Sequence, residues 1–319
     1  MEPSDKTHLL LLGPDKPLIT EGLAQRFIIH RLDSSGTLAS GITSSIRAIA
    51  LCGGHDPLNA EFMLRFPNLE IIASFGVGYD HIDATWAGEH GIIVTNTPDV
   101  LTEEVADTAL GLLLCTVREL PQAERYLRAG KWLEKPYPLT CSSLRGRSVG
   151  IVGLGRIGSA IARRLEGFGV SLSYHNRNKR DVPYIYQASL LSLAREVDIL
   201  IVVTPGGPET SSLVNFEILE ALGPCGILIN IGRGASVDEA ALIRALKTKT
   251  ILAAGLDVFN DEPHVPKELL EMGNVVLLPH VGSASMETRD AMARLLVDNL
   301  LSWKNGKGAL TPVKETPAS

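Results

Sequence analysis

The sequence predicts an α/β protein built on parallel sheets, with one domain inserted into another. Three observations carry that expectation. Short apolar runs recur along the chain, and stretches with polar faces at helical spacing fall between them, the pattern of buried parallel strands joined by crossover helices. The runs are too many for one compact sheet. Two junction-like stretches, "NTPDV" (96–100) and "HVGSAS" (280–285), divide the alternation. They place a first domain at residues 1–99, completed by 286–319, and a second at 100–285.

Each element follows in order. "HLLLLG" (8–13), "RAIALCGG" (47–54), "LEIIASFG" (69–76) and "GIIVTN" (91–96) end in Gly or Asn and read as buried strands. A helical pattern then runs from Thr102 to about Arg128. Thr102 opens it and Glu103 and Glu104 follow in its first turn, where the helix dipole favours acids. Strands resume after a polar loop: "RSVGIVGLG" (147–155), "VSLSYHN" (170–176), "VDILIVVTP" (197–205), "GILINIG" (226–232), "TILAAGLDV" (250–258) and "NVVLLPH" (274–280). A last helix spans about Ser285 to Lys304.

Composition narrows the function classes. The 319 residues are 45% hydrophobic and 21% charged, as in well-packed soluble proteins, and the net charge of −6 argues against a general nucleic-acid surface. No apolar run reaches the ~18 residues of a membrane helix. The start, "MEPSDKTHLLLLG", lacks the basic segment of a signal peptide. Cys52, Cys115, Cys141 and Cys225 form no CxxC pair and read as buried thiols of a cytoplasmic chain.

"VGIVGLGRIGSAIARRLEGFG" carries the first chemistry. An apolar strand leads into Gly153, Gly155 and Gly158, and a helix follows, the context that makes GxGxxG a dinucleotide loop. Gly153 permits the tight turn, Gly155 lets the backbone approach a pyrophosphate, and Gly158 lets the helix pack closely. Arg156 and Ile157 stand at the helix N-terminus, whose positive end faces the phosphates. The next strand ends 18 residues after Gly158 in Asn176, followed by Arg177, Asn178, Lys179 and Arg180. A carboxylate at that tip would accept from the ribose 2′-hydroxyl of NAD. An uncharged Asn176 followed by a guanidinium suits a 2′-phosphate instead, so the expected cofactor is NADPH/NADP+.

In order, "SFGVGYDHID" (74–83), "VTNTPDVLTEEVADTALGLLL" (94–114), "GIVGLGRIG" (150–158), "INIGRGASVDEAAL" (229–242), "AGLDVFNDEP" (254–263) and "LPHVGSAS" (278–285) resemble the D-isomer-specific 2-hydroxyacid dehydrogenase family over about residues 45–305. Within it the chain is most similar to the NADPH-dependent glyoxylate/hydroxypyruvate reductases. The resemblance implies two doubly wound domains, a Rossmann dinucleotide-binding domain inserted into a flavodoxin-like substrate domain. It also implies a small 2-keto acid substrate and a homodimer, with an arm near residues 115–145 on the partner.

The residues bear on that chemistry. His280 follows a strand and a proline, where an imidazolium can act as general acid. Glu262, 18 residues earlier, can orient the ring and stabilise its charged form. Arg233, just past another strand, can hold the substrate carboxylate and polarise the carbonyl. The family's catalytic Arg, Glu and His align with these three. The glycine-rich "SFGVGYD" can form an anion-binding nest, and the resemblance assigns the donors to Val77 and Gly78. It also places Thr108, Thr204 and Asp257 near the cofactor, Asp257 accepting from the nicotinamide carboxamide. Asp80, Asp83 and the "DEP" run match no metal loop, and no metal is expected. Trp132 is either a dimer-interface anchor or a residue reaching the partner's active site. Two alternatives stay open: an enzyme for bulkier acids such as phenylpyruvate or hydroxyphenylpyruvate, and a nucleotide-sensing corepressor-like binding protein.

Overall fold

The computed structural model describes residues 6–39, 41–53, 57–140 and 142–316. Gly54, which ends the second apolar run, and Cys141 lie outside the described residues. Contacts divide the chain into two compact α/β units, Met1–Leu101 with Ser285–Ser319, and Thr102–Ala284.

The first unit holds β1 (Thr7–Leu12), β2 (Phe27–His30), β3 (Ile46–Leu51), β4 (Ile71–Ser74) and β5 (Ile93–Thr95). They form a parallel sheet in the order β2-β1-β3-β4-β5. Strands buried on both faces need continuous apolar sequence, which is why β3 reads "AIAL" after the exposed Arg47 and β4 "IIAS". The helix Met286–Lys304 packs on the helix Pro17–Ala24. Gly22 permits the approach, since a Cβ there would lie 3.0 Å from Val297 Cγ1. The chain leaves β1 for β2 on one side and returns to β3 on the other. Such a reversal opens a crevice beyond the carboxyl ends of the two central strands.

The second unit holds β6 (Ser148–Val152), β7 (Ser171–His175), β8 (Ile185–Tyr186), β9 (Ile199–Val202), β10 (Ile227–Asn230), β11 (Ala253–Leu256) and β12 (Val275–Leu277). All are parallel, in the order β12-β11-β10-β9-β6-β7-β8. Leu193, Leu200, Leu228, Leu242 and Ala254 fill the core on one face of the sheet. Here the order reverses between β6 and β9, which puts the glycine loop after β6 at the crevice.

Three details depart from the sequence expectations. The edge strands β2 and β8 are additional; four and two residues are too short to show a period. The helical pattern from Thr102 is two helices, Thr102–Arg118 and Leu120–Arg128, separated by Glu119 in the left-handed region at φ 53°. Pro121 explains the break, because it has no N–H to donate to Val117 and its ring crowds that carbonyl. Cys225 is exposed rather than buried, and Cys115 only partly buried. Cys225 sits in the "GPCG" turn before β10, where the chain runs over the surface.

Candidate active site

The loop after β6 is shaped by its glycines. Gly153 has φ 98°, and a Cβ on Gly158 would lie 2.3 Å from Gly153 O, so the helix Arg156–Glu166 closes directly onto the turn. A Cβ on Gly155 would meet nothing, which leaves that face of the backbone open to a ligand. Gly155 caps the helix without a side chain, and Arg156 and Ile157 open its first turn. Its N-terminal N–H groups therefore suit a pyrophosphate.

At the tip of β7, Asn176 Oδ1 accepts from Leu154 N at 2.7 Å, and Arg180 Nη1 donates to Leu154 O at 2.6 Å. These two residues hold the glycine loop itself. Arg177 is exposed and pairs through Nη1 with Glu209 Oε2 at 2.6 Å. Asn178 is exposed beside it. The tip residue carries no charge, so a 2′-phosphate meets no repulsion from it. Glu209, 32 positions away, is a partner that sequence spacing does not disclose.

Beyond the carboxyl ends of β10, β11 and β12 the other polar residues gather. Arg233 follows β10. Asn230 Nδ2 donates to Arg233 O at 2.9 Å, and Gly232 N donates to Asn230 Oδ1 at 3.1 Å, which fixes the loop. A Cβ on Gly234 would fall 2.0 Å from the Phe259 carbonyl, so this loop presses on the one after β11. There Glu262 Oε1 accepts from Phe259 N at 3.0 Å, and Glu262 Oε2 meets His280 Nδ1 at 2.6 Å. The Glu262 side chain is 15% exposed and the imidazole 41%. The carboxylate is therefore held inside while the ring reaches outward. His280 adopts φ 52°, a costly conformation for a residue with a Cβ. The strain is offset by His280 N donating to Asp257 O at 2.9 Å.

Asp257 holds this turn. Its Oδ1 accepts from Val281 N at 2.7 Å and Oδ2 from Gly282 N at 2.9 Å. Burial pushes its carboxyl above the usual range, opposed by those two N–H groups and by the His280 charge. Thr108 Oγ1 donates to Gly282 O at 3.2 Å. Thr204 is buried at the end of the β9 loop, with its hydroxyl 3.1 Å from Ser236 Oγ, a partner the sequence reading did not name.

In the first unit, the loop after β4 is held from three sides. Gly76 N donates to Thr97 Oγ1 at 3.1 Å, Asn96 Nδ2 donates to Val77 O at 2.8 Å, and Tyr79 Oη donates to Glu315 at 3.0 Å. Burial, then the Glu315 contact, push the Tyr79 phenol up to about 12. The N–H groups of Val77 and Gly78 donate to no protein atom among the described residues, as an anion nest requires. Asp83 caps the helix Ala84–Glu89 by accepting from Trp86 N at 3.0 Å.

Comparisons with known proteins agree with this chemistry. Residues 110–282 match the family profile described as D-isomer specific 2-hydroxyacid dehydrogenase, NAD binding domain. A glyoxylate/hydroxypyruvate reductase of Arabidopsis thaliana is 47% identical, over 96% of this chain and 98% of its own length. A hydroxyphenylpyruvate reductase of Plectranthus scutellarioides is 44% identical over 96% and 98%. Among solved structures, an NADPH-dependent glyoxylate/hydroxypyruvate reductase of Sinorhizobium meliloti, in complex with NADP and malonate, superposes with a TM-score of 0.93. It is 52% identical, and the match covers 98% of both chains.

Proposed function

From the premise that the chain belongs to the D-isomer specific 2-hydroxyacid dehydrogenase family, we propose that it reduces small 2-keto acids, glyoxylate and hydroxypyruvate, to D-2-hydroxy acids with NADPH. One observation carries the reading: the 2.6 Å contact between His280 Nδ1 and the largely buried Glu262 carboxylate, at the carboxyl edge of the sheet that also bears the dinucleotide loop.

The unit Thr102–Ala284 is the nucleotide-binding domain in this reading, and the first unit binds substrate. The glycine loop and the N-terminus of the helix Arg156–Glu166 hold the pyrophosphate. Arg177 turns from Glu209 to the 2′-phosphate, while Asn178 lines the same edge. Bound there, NADPH would supply the hydride for the carbonyl carbon. Arg233 clamps the substrate carboxylate and draws electron density toward the carbonyl oxygen. Val77 and Gly78, in the first unit, offer N–H groups suited to a carboxylate. Glu262 occupies Nδ1 of His280, so Nε2 is the atom that delivers the proton to the oxygen. Thr108, Thr204 and Asp257 keep the nicotinamide end in place.

We place the chain in a reducing cytoplasm, consistent with free Cys52, Cys115 and Cys225. We also propose a homodimer. Trp132, Leu133 and Leu139 are 65%, 94% and 97% exposed, and a groove of about 730 Å³ is lined in part by Leu112, Pro121, Leu270 and Met272. Such apolar surface is covered in an assembly, with Trp132 as a contact. A single-chain mass in sedimentation equilibrium would contradict the dimer.

The experiment that tests the function is steady-state turnover of glyoxylate, hydroxypyruvate and phenylpyruvate with NADPH and NADH, for wild type and Arg177→Ala. NADPH is the expected cofactor for wild type. A charge-assisted contact to phosphate is worth about 1.5–3 kcal/mol, so Arg177→Ala should raise the KM for NADPH roughly tenfold or more and leave that for NADH nearly unmoved. Equal losses with both cofactors would remove Arg177 from the phosphate. A second reading, preference for a bulkier acid, rests on the 44% identical hydroxyphenylpyruvate reductase, and the phenylpyruvate arm decides it.

A further inference from the structure

One group of side chains in the first unit has no part in the chemistry above. Beyond the carboxyl ends of β1, β3 and β4, three loops lie side by side. Cys52 N donates to Leu12 O at 2.8 Å, and Phe75 N donates to Leu51 O at 2.9 Å. A Cβ on Gly13 would fall 2.2 Å from Gly53 O, so the first two loops touch. This is the crevice where the strand order reverses, the place where open parallel sheets receive ligands.

Two cations meet there around one ring. Lys16, from the first loop, puts Nζ 4.5 Å from the centre of the Phe75 ring. Arg289, from the C-terminal helix, brings its guanidinium carbon within 5.6 Å of the same centre. Phe75 is buried and immediately precedes the turn that presents the Val77 and Gly78 amides. Burial and the neighbouring Arg289 charge both hold the Lys16 ammonium below the usual lysine range. The adjacent carboxylate is turned elsewhere: Asp15 Oδ1 accepts from Thr20 Oγ1 at 2.6 Å and from Arg31 Nη2 at 2.7 Å. Among the described residues the Lys16 ammonium meets the Phe75 ring and makes no hydrogen bond or ion pair. A half-buried ammonium without a hydrogen-bonded partner is unfavourable alone and is stabilised by an anion.

We propose that Lys16, with Arg289 beside it, forms a second anion position in this crevice, and that it selects 2-keto acids carrying a further carboxylate distant from the keto acid group. The proposal rests on the reading of the chain as a 2-keto acid reductase. With the first carboxylate on the Val77 and Gly78 amides, the distal one reaches Lys16, and the Phe75 ring supplies an apolar wall for the intervening methylene groups. The reaction is unchanged: a hydride from NADPH to the keto carbon and a proton to its oxygen.

The test is kcat/KM for glyoxylate, hydroxypyruvate, oxaloacetate and 2-oxoglutarate at saturating NADPH, in wild type, Lys16→Met and Lys16→Arg. Wild type is expected to reduce at least one of the two dicarboxylates. In Lys16→Met, the ratio of kcat/KM for that dicarboxylate to kcat/KM for glyoxylate should fall about tenfold or more, as loss of one charge-assisted contact predicts, chiefly through KM. Lys16→Arg should restore most of the ratio. NADPH affinity, titrated by fluorescence, reports that each variant is folded. Wild type that reduces glyoxylate but neither dicarboxylate overturns the proposal and leaves the reductase reading standing, as does an unchanged ratio in Lys16→Met. Wild type that reduces none of the four acids overturns both.

Discussion

Replacing His280 by alanine is expected to lower kcat for glyoxylate reduction by about 10²–10⁴-fold, the range of positioned general acids, with NADPH affinity close to wild type. The imidazole is paired with Glu262 and 41% exposed, and it takes no part in the glycine loop proposed for the phosphates. Its loss removes the proton source and leaves the nucleotide site whole. Stopped-flow turnover and a separate NADPH titration read the two quantities independently. A variant that turns over near the wild-type rate would show that water, or another side chain, protonates the substrate.

The second large effect is at Arg233. Arg233→Lys keeps the positive charge but loses the planar fork that engages a carboxylate through two parallel hydrogen bonds. A fall of about 10²-fold in kcat/KM is expected, the scale of removing one donor to developing negative charge. The loop should survive the change, because the Asn230 side chain and Gly234 against Phe259 fix its shape alongside the bond from Arg233 Nη1 to Gly232 O at 2.9 Å. Near wild-type kcat/KM in Arg233→Lys would make Arg233 a structural cation.

Much of the architecture was legible because its signals are local. Runs such as "VDILIVV" must be strands buried on both faces, and the glycines from 153 to 158 can be read from the steric needs of one turn. What escaped depended on pairing or on chain reversal. The edge strand Ile185–Tyr186 exists only through its pairing with β7. The helix break at Glu119 follows from Pro121, a signal present in the sequence but outweighed by the apolar period around it.

The site divides in the same way. Loop ends after strands marked where Arg233, Glu262 and His280 would lie, since strand ends in such sheets gather at one edge. The second partners were hidden by distance along the chain. Arg177 meets Glu209, Thr204 meets Ser236, and Lys16 shares a ring with Arg289 from the other end of the sequence. Asp257 has a task that no motif states: it takes two backbone N–H groups and holds the strained turn at His280.

Proton delivery by a histidine held on its carboxylate partner is the central claim, and kcat for reduction by Glu262→Gln tests it most directly. Glutamine preserves shape and a hydrogen bond to Nδ1 but removes the negative charge that stabilises the imidazolium. kcat for glyoxylate reduction is expected to fall about tenfold or more, with NADPH affinity close to wild type. Deuterated NADPH establishes that hydride transfer limits the rate in both enzymes. With that established, kcat at the wild-type level in Glu262→Gln would contradict the pairing of Glu262 with His280 as the proton-delivering device.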